Sequence, residues 1–168
     1  GIRIINFNKL SNKEGKVLET YFDHQIMPFL SPILVDNQQP FPFLNNKELY
    51  AIVVLDGKNG KQTGIVPCSN SVFKRLIEIP TRPGNFMLSE ELILHFVEKL
   101  FPHYLIKEKA VMRCTRNADI DAADVYDEDL DYRDIMEHLI KKRSRLSPVR
   151  LELSREINEK AKKEICSY

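Results

Sequence analysis

Apolar and polar residues along this chain predict short strands joined by turns. Residues Tyr50–Leu55 are apolar without interruption, which is typical of a strand buried on both faces. The next residues, Asp56–Gly60, are rich in turn-forming types, and a second apolar run follows at Gln62–Pro67. Two apolar runs that are joined by a short turn containing glycine predict a β-hairpin.

A strand with strict alternation is predicted around Val111. Alternation places apolar and polar side chains on opposite faces, because strand side chains repeat with a period of two residues. The face that can be buried carries Ala110, Met112 and Cys114. The polar face carries Arg113, Thr115 and Asn117. We expect this strand to end near Asn117-Ala118-Asp119, since Asn and Asp favour turns.

The remaining elements follow from apolar spacing and from capping residues. Further short strands are predicted at Ile2–Ile5, within Phe73–Ile79, at Asn85–Leu88 and at Pro148–Leu153. Helices are predicted at Lys13–Met27, Ser89–Leu100, Glu128–Arg145 and Arg155–Cys166. Candidate N-caps for three of them are Asn8 or Ser11, Ser89 and Ser154. Strands and helices mix without strict alternation, which predicts a single α+β domain: a mostly antiparallel or mixed β-sheet packed with about four helices.

One segment, residues 28–44, is rich in both proline and apolar side chains. Proline fixes φ and is excluded from the interior of helices and sheets, so we expect an ordered, extended loop. Two interpretations of Phe41-Pro42-Phe43-Leu44 stay open. It is either a hydrophobic plug beneath the sheet or an exposed patch that meets a partner.

Composition narrows the class of protein. The chain has 168 residues, 43% hydrophobic and 29% charged, which is ordinary for a soluble globular protein. A net charge of +1 provides no global field that would attract DNA, RNA or an anionic membrane. No apolar run approaches the roughly 18 residues that a transmembrane segment needs. The three cysteines are scattered without a CxxC pair, which indicates reduced thiols and a cytoplasmic location.

The charged residues near the end of the Val111 strand are the candidate binding site. Arg113 and Arg116 could hold phosphate, since the guanidinium fork matches phosphate oxygens. The alternative is a solvated sheet face whose arginines pair with the acidic run Asp119–Asp131. That run lacks the glycine and the glutamate of a calcium-binding loop and better fits a helix start. Candidate contacts to a phosphate-rich polyanion, including the basic end of the same predicted helix, are Arg113, Arg116, Asn117, Lys141, Lys142 and Arg143.

No catalytic, cofactor-binding or metal-binding motif is recognised. The histidines, His24, His95, His103 and His138, form neither a metal signature nor a catalytic spacing. The glycines at Gly57-Lys58-Asn59-Gly60 lack P-loop spacing and join two strands. From motifs alone, the chain is an α+β domain without an assigned function.

Five blocks of sequence, in order, resemble the head (middle) domain of bacterial polyphosphate kinase. Two of them, Phe41-Pro42-Phe43-Leu44 and Thr115-Arg116-Asn117-Ala118-Asp119, are the most telling. The chain departs from the family at Ser31, where many members have Thr, and at Ser147, where Gly is common. The blocks are Tyr21-Phe22, Pro28–Asp36, Pro40–Leu44, Arg113–Asp119 and Pro148–Glu152.

The resemblance implies a transferase that moves the terminal phosphate of ATP reversibly to polyphosphate through a phosphohistidine, with ATP and Mg. Members of the family have an N-terminal helical domain, the head domain and two C-terminal domains similar to phospholipase D folds. The phosphorylated histidine belongs to the C-terminal pair, so no catalytic residue is carried over to this chain. We therefore expect residues 1–168 to be one head domain cut from a longer chain, inactive alone and without a cofactor of its own.

The resemblance also implies partners. They are the other domains of the same polyphosphate kinase chain and a second subunit, with the head domain shaping the subunit and its oligomer contacts. Polyphosphate is a further candidate partner, whereas DNA and a transmembrane segment are not expected. The alternative is a stand-alone module that binds a polyanion, polyphosphate or RNA, without catalysis. Membrane association of the full-length enzyme stays open beside the cytoplasmic location.

Overall fold

A computed structural model describes residues 1–35, 41–57, 60–69, 71–116 and 148–166. Within these ranges, eight strands form two sheets, and three α-helices pack against them. The strands are β1 Arg3–Ile4, β2 Ile33–Val35, β3 Leu49–Gly57, β4 Gly60–Pro67, β5 Leu76–Glu78, β6 Asn85–Leu88, β7 Leu105–Arg116 and β8 Pro148–Leu153. The helices are α1 Asn12–Tyr21, α2 Ser89–His95 and α3 Glu159–Cys166.

The larger sheet has five antiparallel strands in the order β2-β4-β3-β7-β8. The predicted hairpin is β3–β4, in which Gly57 pairs with Gly60. Gly60 has a φ of +97°, a conformation that glycine adopts without a Cβ clash. The smaller sheet, β1-β6-β5, is mixed because β1 runs parallel to β6. These sheets and helices confirm the predicted α+β class.

The central strand β3 contributes to two hydrophobic cores, one on each face of the larger sheet. Ala51, Val53 and Leu55 face the core that contains α1, α2 and residues of the smaller sheet. Tyr50, Ile52 and Val54 face the core that contains α3. The uninterrupted apolar run of β3 therefore reflects burial on both faces, as the sequence predicts.

The strand predicted around Val111 is β7, and its alternation is confirmed. Ala110, Met112 and Cys114 are buried in the core beneath α3. Val111 faces the opposite core and lies on the same face of β7 as Arg113 and Thr115. One face of β7 is therefore apolar, and the other face becomes polar toward the C-terminal end of the strand.

The first predicted helix is regular only in its first half. Ser11 caps α1 through a capping box with Glu14, and the helix continues from Tyr21 into a π-helical turn, Phe22–Ile26. A short 3₁₀ turn, Met27–Phe29, follows, with Pro28 in its first turn. Proline is tolerated there because the N–H groups of a first turn have no partner within the helix. Leu18, Phe22 and Ile26 are all buried along this segment.

Two predicted N-caps are wrong. Ser89 is the first residue of α2 rather than its cap, and no side chain caps that helix. The last helix begins at Glu159 instead of Arg155, because the Asn158 side chain accepts the N–H of Ala161 at 2.8 Å. The Ser154 hydroxyl accepts the N–H of Val111 at 2.9 Å and so serves the sheet, not the helix.

The proline-rich segment is partly buried and partly exposed, and contact with a partner stays a prediction. Leu44 is 5% exposed and, with Phe41, packs into the core beneath α3. Phe43 is 53% exposed, and β2 lies earlier in the segment as an edge strand. Alternate residues of the loop therefore face the core and the surface. The helix predicted at Glu128–Arg145 lies outside the described residues.

Candidate functional site

The two candidate arginines lie on opposite faces of β7. Residues that are three apart on a strand point to opposite sides, because side chains repeat every two residues. Arg113 shares its face with Val111 and Thr115, whereas Arg116 borders a cavity together with Cys114 from the buried face. The structure does not bring the two guanidinium groups together into one phosphate clamp.

Arg113 forms an ion pair across the sheet with its register partner on β8. Its Nε donates to Oε2 of Glu152 at 2.7 Å, and Arg150 approaches the other oxygen at 2.9 Å. The hydrogen bond from Arg113 lowers the pKa of the Glu152 carboxyl and raises the pKa of Arg113. The Arg113 cation is thus balanced by Glu152, in an exposed setting where such pairs contribute little to stability.

Arg116 anchors the proline-rich loop to the end of β7. Its Nε donates to the carbonyl oxygen of Leu44 at 2.9 Å. The guanidinium carbon lies 4.2 Å from the centroid of the Phe43 ring, a distance that fits a cation–π contact. The backbone N–H of Arg116 donates to Oδ1 of Asn46 at 2.9 Å. These contacts assign Arg116 a structural function at this position.

A cavity of about 270 Å³ lies beside Arg116, between the loop, the β7–β8 pair and α3. Its walls are mainly apolar and include Phe41, Leu44, Leu151 and Ile165. No carboxylate is among its described lining residues, and two free thiols, Cys114 and Cys166, border it. The cavity therefore offers a mainly apolar surface with two arginines, Arg116 and Arg150, among its lining residues.

The other candidate residues are distributed as follows. Asn117, Lys141, Lys142 and Arg143 lie outside the described residues, as does His138. Nδ1 of His24 lies 2.8 Å from the carbonyl oxygen of Thr20, and His95 stacks on the Phe7 ring. Across the described ranges, no group of three or more His, Cys, Asp or Glu residues is placed to hold a metal ion.

Sequence reasoning did not identify Glu14, a nearly buried carboxylate with a strongly lowered pKa. Only 6% of Glu14 is exposed. Its carboxylate accepts hydrogen bonds from the Thr81 hydroxyl at 2.6 Å and from Nε and Nη2 of Arg82 at 2.7 and 2.8 Å. These bonds, with those from Ser11, lower its pKa to about 2. A serine followed three residues later by a glutamate is typical of a capping box, so that part could be predicted from the sequence. The contacts with Thr81 and Arg82 join residues 67 and 68 positions apart, and no local pattern in the sequence indicates them.

None of the helices within the described ranges has the length and apolar character needed to cross a bilayer. Comparison with known proteins identifies the family of this chain. A family model described as the polyphosphate kinase middle domain matches residues 13–168. This chain therefore belongs to the polyphosphate kinase middle-domain family.

Individual relatives agree with the family match. The chain is 41% identical over 158 residues to polyphosphate kinase of Halalkalibacterium halodurans, covering 91% of this chain and 22% of the relative. It is 38% identical over 166 residues to polyphosphate kinase of Mycolicibacterium gilvum, covering 95% and 22%. The chain thus spans less than a quarter of the length of these relatives.

A solved structure shows the same fold. The crystal structure of polyphosphate kinase from Porphyromonas gingivalis matches 99% of this chain and 23% of that chain, with a TM-score of 0.72 and 20% sequence identity. At that identity the match concerns the fold alone. It extends over both sheets of the present structure, because nearly the entire chain is covered.

Proposed function

We propose that this chain is the middle domain of a longer polyphosphate kinase, where it shapes the subunit and contributes to contacts between subunits. The match to the middle-domain family over residues 13–168 carries the proposal. The greater length of the relatives supports it. The engagement of Arg113 by Glu152, and of Arg116 by Leu44 and Phe43, supports a structural function for both arginines.

The parent enzyme, in this proposal, transfers the terminal phosphate of ATP reversibly to polyphosphate through a phosphohistidine, using ATP and Mg. We assign these steps to the C-terminal domains of the parent enzyme and none of them to residues of this chain. The isolated chain is accordingly inactive and needs no cofactor. A cytoplasmic location fits the three free thiols, because a reducing compartment keeps cysteines unpaired.

Exposed apolar side chains support contacts with other domains or with a second subunit. Ile2, Ile4, Leu105 and Val149 are each more than half exposed. Ile4 belongs to β1, an edge strand of the smaller sheet, and Ile2 directly precedes that strand. Val149 belongs to β8, an edge strand of the larger sheet. Edge strands with exposed apolar residues are typical places for contacts with another chain or domain.

A domain exchange tests the proposal. The matched segment of the Halalkalibacterium halodurans enzyme is replaced by this chain, and polyphosphate formation from ATP is measured. We expect the chimera to form polyphosphate, the same enzyme without the segment to form none, and this chain alone to form none. A folded but inactive chimera would contradict the scaffold assignment, and polyphosphate formation by the isolated chain would contradict its inactivity.

The second candidate function is direct polyanion binding, to polyphosphate or RNA, through Arg113 and Arg116. The cross-strand pair with Glu152 and the net charge of +1 weigh against it. Calorimetric titration with polyphosphate at low and at moderate salt separates the two candidates, since each phosphate contact releases counterions and makes binding salt-dependent. Salt-sensitive binding that Arg113→Glu and Arg116→Glu abolish in a folded protein would favour the polyanion module.

A further inference from the structure

Strand β5 is an edge strand of the smaller sheet, and its free side carries unpaired backbone groups. On the side of β6, the N–H of Ile79, just beyond the strand, donates to the carbonyl oxygen of Asn85 at 2.9 Å. Successive residues of an antiparallel strand direct their N–H and C=O groups to opposite sides. Leu76 and Glu78 therefore direct these groups away from β6. Within the described ranges, no hydrogen bond from these backbone groups is formed.

An apolar groove of about 330 Å³ lies beside this edge, between β5 and α1. Val17 of α1 is 39% exposed there, and Leu76 of β5 is 43% exposed. Free backbone donors and acceptors thus lie next to an apolar surface. This arrangement binds an extended peptide as an additional strand, because the backbone supplies hydrogen bonds and the surface accepts alternate side chains. The apolar side chains of the groove include Val17, Leu18, Tyr21, Leu76, Ile77 and Phe86.

Two charged side chains, Lys74 and Glu78, also line the groove. Oε1 of Glu78 accepts the N–H of Gly84 at 3.0 Å, so this carboxylate is already engaged within the smaller sheet. Among the described residues, Lys74 has no ion-pair partner. An incoming strand therefore meets one unpaired cation, which favours a segment that carries a carboxylate at this position.

We propose that an extended segment of the parent polyphosphate kinase, outside residues 1–168, pairs with the free edge of β5 as an additional strand. Its apolar side chains enter the groove beside α1, and one of its carboxylates lies near Lys74. This assignment rests on the proposed function and deepens it, because it names a surface by which the middle domain meets the rest of the parent chain.

The length of β5 favours a segment of the same chain over a separate partner. The strand has only three residues, so its free edge offers few hydrogen bonds. So small a contact holds a separate molecule weakly, whereas a tethered segment is present at a high effective concentration. The parent chain has ample length to supply the segment, since the present chain covers only 22% of two relatives.

Amide hydrogen exchange with single-residue resolution tests the assignment on the purified chain and on the Halalkalibacterium halodurans chimera described above. The amides of Leu76 and Glu78 should exchange freely in the isolated chain. In the chimera they should exchange at least about tenfold more slowly, because strand pairing protects them. The amide of Ile77 is the internal control. It faces β6 in both proteins, so its exchange should change less.

A charge placed in the groove should remove this protection. Val17→Glu should return the Leu76 and Glu78 amides of the chimera to within about twofold of their rates in the isolated chain, because a charge opposes burial beneath an apolar segment. The matched control is Thr20→Glu, which adds the same charge to α1 outside the groove lining and should retain the protection. Both positions are exposed in the isolated chain, so both variants should fold.

The readouts separate this assignment from the proposed function. Polyphosphate formation by the chimera tests the proposed function, whereas the exchange of the Leu76 and Glu78 amides tests the added strand. Free exchange in a folded chimera would overturn the assignment, whether or not the chimera is active. Protection that falls on dilution of either protein would indicate a second copy and would also overturn it. If the chimera does not fold, the two matched positions in the Halalkalibacterium halodurans enzyme itself, 41% identical over the match, give the decision.

Discussion

At the scale of single residues, Glu14 connects two parts of the fold that are distant in sequence. Its carboxylate closes the capping box of α1 and also receives hydrogen bonds from Thr81 and Arg82, in the turn between β5 and β6. A nearly buried carboxylate with this many donors is stabilised in its ionised form, which is why its pKa falls to about 2. Glu14 therefore holds the first helix against the smaller sheet.

The stability of the protein should reflect this depressed pKa. Because the folded-state pKa lies below the ordinary value of 4.5, the stabilisation is complete above about pH 4.5 and is lost as the pH falls toward 2. We expect Glu14→Gln to lower the urea midpoint clearly at pH 7, and the difference from wild type to shrink steadily below pH 4.5. Urea unfolding followed by circular dichroism across this pH range measures it.

The control for Glu14 is Glu159→Gln, which removes an exposed carboxylate paired with Lys162. An exposed pair contributes little, so this variant should remain close to wild type at every pH. A constant difference between Glu14→Gln and wild type from pH 7 to pH 2 would contradict the assigned function of Glu14.

At the scale of elements, two glycines in regular structure have opposite consequences. In β4, a Cβ at Gly64 would lie 2.6 Å from Val53 Cγ2 and 2.7 Å from the Phe101 ring. In α1, a Cβ at Gly15 would meet only the Phe7 ring, at 3.4 Å. The first glycine is required by close packing, whereas the second lies in a helix with room for a methyl group.

Alanine at these two positions should therefore change stability in opposite directions. We expect Gly64→Ala to lower the free energy of unfolding by about 1–3 kcal/mol, because the added methyl overpacks the core. Gly15→Ala should raise it by about 0.5–1 kcal/mol, since alanine restricts the unfolded chain and favours the helix. Chemical unfolding of both variants beside wild type is the measurement, and an equal sign for both would contradict the packing argument.

Most elements could be predicted from the sequence because their signals are local. The apolar run of β3, the alternation of β7 and the candidate cap Ser11 each lie within or directly beside one element. The two incorrectly predicted N-caps, Ser89 and Ser154, show that residue type near a helix start does not suffice to identify the capping residue. Ser154 is a suitable N-cap by residue type, but the N–H of Val111 competes for its hydroxyl, and Asn158 caps the helix instead. Such competition depends on contacts across the sheet and has no local signature.

At the scale of the whole molecule, one sheet carries a different hydrophobic core on each face. The sequence predicts that β3 is buried on both sides, yet it does not assign α1 and α2 to one face and α3 to the other. The candidate arginines illustrate the same limit. Residue type and spacing are compatible with both phosphate binding and ion pairing, whereas the pairing of Arg113 with Glu152 depends on the register between β7 and β8.

The shared position of β3 also predicts an order of folding. The β3–β4 hairpin closes a very short loop, whereas Val53 of β3 pairs with Lys109 of β7, far along the chain. Closing a longer loop loses more chain entropy, and distant strand pairing slows folding. The hairpin should consequently nucleate the sheet and present an edge on which β7 docks later. Kinetic φ-values near 1 for Ile65→Val in the hairpin and near 0 for Leu151→Ala in β8 would support this order, and the reverse ranking would refute it.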